Sequence, residues 1–69
     1  MAIMKKVVIS RKIKEYRKTH KLTQEEFADL MGVSAQAISK WEREVCCPDI
    51  TLLPDLAEIL SCSVNDFFE

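Results

Sequence analysis

Glycine and proline are scarce in this chain, with one and two copies in 69 residues. A many-stranded sandwich or barrel needs turn residues at every corner, so the scarcity excludes that architecture and favours helices. No apolar run approaches the ~18–20 residues of a membrane span. The apolar start, Met1 to Ile9, is interrupted by Lys5 and Lys6 and lacks the small-residue cleavage site of a secretion signal. Histidine occurs once, as His20, with no evident Ser or Cys partner and no glycine-rich phosphate loop elsewhere, so an enzyme is not expected. The three cysteines are an odd number and make no disulfide framework. These absences together point to a reduced, cytoplasmic, non-membrane protein without cofactor.

What is present is one domain's worth of chain, 48% hydrophobic and therefore not disordered by composition. The formal net charge of −1 hides a gradient. Residues 1–21 carry eight Lys and Arg against Glu15 alone, a net of +7, whereas the rest carries Lys40 and Arg43 against ten acids, a net of −8. Such asymmetry permits a polyanion on one side of the molecule, although a solvated basic helix would look the same.

Helix-start chemistry divides the chain. Ser10 precedes a helix over 11–20, where Ile13 and Tyr16 sit at helical spacing among charges. Thr23 with Glu26 three residues on is a capping box, opening a helix to about Met31 that Gly32 stops. Ser34 caps a third helix to about Glu42. Thr51 caps a fourth, from Leu52 to about Leu60, with Pro54 tolerated in its first turn. Ser63 with Asp66 caps a short fifth through Phe68. Apolar faces agree: Phe27, Leu30 and Met31; Ala37, Ile38 and Trp41; Leu53, Leu56, Ala57 and Leu60; and Val64, Phe67 and Phe68. The expectation is a compact all-α, five-helix domain over 10–69 behind an N-terminal arm over 1–9, a stretch whose Val7, Val8 and Ile9 prefer strand.

The informative segment runs from Thr23 to Glu42. Two helices there are joined by a turn too short to let them lie antiparallel. Ala28 permits their close crossing, Gly32 accepts the positive φ of the turn, Val33 plugs it, and Ile38 and Trp41 anchor the second helix, which is the helix-turn-helix plan. At ~100° per residue, Ser34, Ala37, Ile38 and Trp41 fall on one side of that helix. Gln36, Ser39 and Arg43 fall on the other, with Ala35 and Lys40 on the flanks. That small, polar outer face suits the major groove of double-stranded DNA: Gln pairs with adenine, Lys donates to guanine, Ser bonds either, and a methyl touches thymine.

These residues, with Ile13–Lys14, Arg17–Lys18, Leu22 to Glu26, Trp41–Glu42–Arg43, Pro48–Asp49 and Leu56–Ala57, resemble the phage-repressor-like, Xre-type helix-turn-helix regulators over Ser10 to Phe68. The resemblance implies a lambda-repressor-like DNA-binding domain acting as a sequence-specific transcriptional regulator, most simply a repressor that occludes a promoter. It assigns base reading to Ala35, Gln36, Ser39 and Lys40, phosphate contacts to Gln24, Ser34 and Arg43, and to Gln24 also the bracing of the reading helix. It also implies a partly buried salt bridge from Arg17 to Glu42. Lys21 and Glu44 stand where the family usually has Gly; a non-Gly residue held left-handed costs about 1 kcal/mol, so those turns either differ or carry that strain. An antitoxin or adaptor that binds protein is the other reading of the same scaffold. A homodimer is expected on DNA, reading two half-sites, with Met4 to Ile9 or whichever of Phe67 and Phe68 stays exposed as candidate contacts. Cys46, Cys47 and Cys62 are expected to be small buried or half-buried hydrophobes and not a metal site, since no C-x-x-C spacing exists, with thiol sensing as the residual possibility.

Overall fold

The computed structural model describes residues 8–68. Helix α1 spans Ile9–His20, α2 Gln24–Met31, α3 Ala35–Glu42 and α4 Leu53–Ile59, the last entered through a 3₁₀ turn at Ile50–Leu52. A second 3₁₀ turn, Val64–Phe67, closes the described chain. No described helix is long and apolar enough to cross a membrane.

One side chain from each element meets at the centre. Ile13 of α1, Phe27 of α2, Ile38 of α3, Leu56 of α4 and Phe67 of the last turn are each fully buried. The Tyr16 ring meets Phe27 edge-on at 5.7 Å. Ala28, 1% exposed, lets α2 and α3 cross closely.

The caps at Thr23 and Ser34 form as their local chemistry dictates, but Thr51 does not cap α4: it lies within the 3₁₀ turn, and the helix starts at Leu53 behind Leu52 with no side-chain cap. Thr23 Oγ1 accepts the Glu26 N–H and the Glu26 carboxylate accepts the Thr23 N–H; Ser34 Oγ accepts the Ala37 N–H. The chain departs from expectation where distant residues decide. Helix α1 begins at Ile9, without a side-chain cap, and not behind Ser10. Val8 and Ile9, each 4% exposed, are held by the core, and the Val8 N–H donates to the Phe67 carbonyl at 2.8 Å. The expected fifth helix is a single 3₁₀ turn, leaving four α-helices among the described residues and not five, and the backbone is extended at Phe68. The rest of the expected arm, residues 1–7, lies outside the described residues. Leu30 is another correction, being 54% exposed. Phe27, Met31 and Ala28 span an arc of ~100° whose centre lies ~110° from Leu30, so burying Ala28 at the α3 crossing turns Leu30 outward. Of the terminal pair, Phe67 is buried and Phe68 is 40% exposed.

All four α-helices end in the same closure. A residue in left-handed conformation follows the helix, and the next amide reaches back five residues, bonding Leu22 to Arg17, Val33 to Ala28, Val45 to Lys40 and Cys62 to Ala57. This Schellman arrangement satisfies carbonyls that a helix terminus otherwise leaves open. Only one of the four left-handed residues is glycine: they are Lys21 (φ 55°), Gly32 (φ 70°), Glu44 (φ 62°) and Ser61 (φ 56°). The turns at Lys21 and Glu44 therefore keep the usual shape and carry the strain. Ser61→Gly is expected to raise stability by roughly 0.5 kcal/mol, the relief of about 1 kcal/mol of strain less glycine's greater unfolded-state entropy. Gly32→Ala is expected to lose roughly 0.5 kcal/mol by the same balance, strain less unfolded-state entropy, because nothing lies within 4 Å of the added Cβ. Urea midpoints at constant m-value measure both; a Ser61→Gly variant less stable than the parent would refute the strain.

Candidate nucleic-acid interface

Helix α3 is anchored from one side only. Ile38, Trp41 and Glu42 are buried, whereas Gln36, Lys40 and Arg43 are exposed, and Ala35 and Ser39 are half-buried. Gln36, Lys40 and Arg43 of the expected outward set thus lie on one accessible stripe with Ser39 half-buried beside them, whereas Ala35 also packs against the core. Ser34 is exposed and not on the buried side, because its hydroxyl caps the helix from outside; Ala37 is half-buried. Arg43 Nε donates to the Ser39 carbonyl at 3.3 Å, which lays that side chain back along the helix end. Val33 is half-buried and packs against the core from the turn, as its plugging role requires.

The anchor at the far end of α3 is electrostatic. Glu42 is 5% exposed, yet it is a carboxylate at a helix C-terminus, where burial and the helix dipole both disfavour its charge. Arg17 of α1 offsets this with a two-pronged bond, Nε to Oε2 at 2.6 Å and Nη2 to Oε1 at 2.7 Å. Its remaining arm donates to the Leu22 carbonyl at 3.0 Å, tying in the α1–α2 turn. Gln24, the first residue of α2, donates its Nε2 to Glu42 Oε1 at 3.2 Å. Three elements and the turn between two of them therefore meet at one carboxylate. Burial alone would push the Glu42 carboxyl up; the bonds from Arg17 and Gln24, with the charges of Arg17 and Lys14, hold it below the ordinary glutamate range. The Arg17 guanidinium is raised in turn, chiefly by its bond to Glu42. The bond from Gln24 and the reach of the Lys14 charge were not legible from spacing, since both depend on how α1 and α2 pack on α3.

Two of the three cysteines, Cys46 and Cys47, do not sit as expected, whereas Cys62 does. Cys46 and Cys47 are exposed and Cys62 is half-buried. The left-handed Glu44 throws the chain off α3, so the next residues leave the core. Burial pushes the Cys62 thiol up.

An α2–turn–α3 unit with a one-sided reading helix is the helix-turn-helix arrangement. Residues 13–67 match the profile of the helix-turn-helix family, and the chain belongs to it. It is similar to an uncharacterised HTH-type transcriptional regulator of Methanocaldococcus jannaschii, at 37% identity over 57 residues, spanning 83% of this chain and 86% of that protein. Among solved structures, the P22 c2 repressor in complex with a synthetic operator superposes with a TM-score of 0.78 at 33% identity, covering 88% of this chain and 92% of that one. The antitoxin PezA of Streptococcus pneumoniae is 34% identical over 59 residues, but these make up only 37% of its length, so the likeness concerns one part of that protein.

Arg17→Met is expected to destabilise the fold by about 3 kcal/mol, because it strands the Glu42 carboxylate out of water, and Glu42→Gln by less, because the Arg17 side chain it leaves is 22% exposed. The double variant should lose clearly less than the two losses together, as a double-mutant cycle by urea unfolding would show. The pH dependence follows from the depressed Glu42 carboxyl. Its contribution is whole above the ordinary glutamate range and vanishes as pH falls through its lower folded value, so wild type and Glu42→Gln should converge in acid. A gap that holds constant down to the acid transition would refute the pairing.

Proposed function

We propose that this protein is a sequence-specific double-stranded DNA-binding transcriptional regulator of the cytoplasm that represses by occluding a promoter. The observation that carries this reading is the one-sided burial of α3, which leaves Gln36 and Lys40 exposed on a stripe of small neighbours. Gln36, Ser39, Lys40 and the Ala35 methyl read base edges in the major groove. The α3 N-terminus at Ser34, with Gln24 and Arg43, holds phosphates and sets the register of the helix on the duplex. Glu42 lies close to this face without repelling DNA because Arg17 neutralises it. The likeness to a repressor solved with its operator supports the same docking. Two copies bind as a homodimer, each placing one α3 in the groove of a half-site about one helical turn from the other.

Selection of bound duplexes from a random pool tests the reading. A preferred sequence is expected, with affinity falling steeply as salt rises. Gln36→Ala and Lys40→Ala should each cost about 1–3 kcal/mol on that sequence and relax preference at one position. Arg43→Ala should weaken all duplexes alike and reduce the salt slope by about 1. No preferred duplex, with a salt slope near zero, would sink the proposal and leave the protein-binding adaptor in its place.

A further inference from the structure

The loop after α3 carries two thiols that the DNA-binding reading leaves unused. Cys46 and Cys47 are adjacent, free and exposed. Neighbouring side chains on extended backbone point to opposite sides. Here, beyond the left-handed Glu44, both residues border a single cavity of about 70 Å³. Ile9 of α1, Trp41 of α3 and Pro48 line the same cavity and are themselves buried, so its inner wall is apolar and fixed by the core, while half-buried Ser10 and exposed Glu44 complete its rim. Cys62 lines a different cavity, with Tyr16 and His20, and takes no part.

Two thiols on a firm apolar wall are a chelate of defined demand. Structural zinc asks for four ligands and is poorly served by two. Soft thiolates select soft centres, and a pair of them completes the shell of monovalent copper or of trivalent arsenic that already bears one organic group. We propose that Cys46 and Cys47 together form a dithiol site for such a thiophilic centre, seated beside Trp41. The chemistry is ligand exchange without electron transfer. Monovalent copper joins both sulfurs as the two S–H protons leave to solvent, giving a complex of charge −1. An arsenical of the type R–As(OH)₂ forms two As–S bonds and releases two waters, giving a neutral adduct. The copper complex thus adds negative charge three to four residues beyond Arg43. On the DNA-binding reading above, on which this consequence alone rests, copper loading weakens DNA binding by repelling phosphate, and the neutral adduct has little electrostatic effect.

The reduced full chain is titrated in two arms, with monovalent copper against a chromogenic copper chelator and with phenylarsine oxide followed by thiol counting and intact mass. One equivalent per chain is expected in at least one arm, with a change in the emission of Trp41, the single tryptophan. Cys46→Ser and Cys47→Ser should each lower affinity about 100-fold or more, because the second bond of a chelate forms at high effective concentration. Cys62→Ser should change nothing. The tighter arm identifies the occupant as ion or metalloid. Uptake that survives either single loop variant, that is shared with Cys62, or that leaves Trp41 emission unmoved would overturn the site. The same samples are then assayed for DNA affinity. Loading without any DNA binding by the apo-protein refutes the regulator and keeps the site; DNA binding without loading does the reverse. Copper-loaded protein that binds DNA as tightly as the apo-protein refutes the coupling.

Discussion

A carboxylate stands almost wholly out of water beside the face proposed to meet a polyanion, and the rest of the structure depends on how that charge is held. Glu42 is tolerable only because Arg17 grips both of its oxygens and Gln24 adds a third bond. The planar guanidinium fixes direction as well as charge: α1 can lie against α3 in only one orientation if both prongs are to form. With its last arm on the Leu22 carbonyl, the same side chain sets the turn that launches α2. A buried pair of this kind adds little stability over an apolar substitute, but half of it is worse than none. Its value here is specification, because α1, α2 and α3 are placed relative to one another by one ion pair with fixed geometry.

Helix direction is set by a second device, the repeated left-handed closure. Glycine makes such a closure without strain, yet only Gly32 uses it. At Lys21, Glu44 and Ser61 the side chains are exposed, so the penalty is confined to the backbone and nothing in the core must yield. Three strained ends are a real burden for so small a core. What they secure is a compact turn at each end with the last carbonyls bonded; after Lys21 and Ser61 the following residue, Leu22 or Cys62, also turns back against the core, whereas Val45 after Glu44 is exposed.

What could be read from the sequence follows from the range of each interaction. The caps at Thr23 and Ser34 and the stop at Gly32 are decided within three or four residues, and they stand where their chemistry puts them. The Arg17–Glu42 pair spans 25 residues and was legible only through family resemblance. The start of α1 was not legible, because Val8 and Ile9 are held by distant parts of the chain, Val8 through its bond to the Phe67 carbonyl. Leu30 misled because three apolar residues in one turn fit two different faces, and only the crossing at Ala28 chooses between them. Cys46 and Cys47 misled because residue type was weighed as though the chain stayed on the core, when Glu44 had already turned it away.

The proposed DNA-reading residues have a different standing from all of these. Holding α3 in place falls to Ile38, Trp41 and Glu42, and capping it to Ser34, whereas Gln36 and Lys40 have no burial to lose. Exposed positions of a capped helix tolerate exchange within a few tenths of a kcal/mol. Reading and folding are therefore separable along one eight-residue helix, with alternating responsibility fixed by its ~100° step. A change of preferred duplex then requires only outward substitutions, and the scaffold that presents them stays as it is. The physical limit on such change is Arg43, whose side chain bonds back to Ser39 and so belongs partly to both sets.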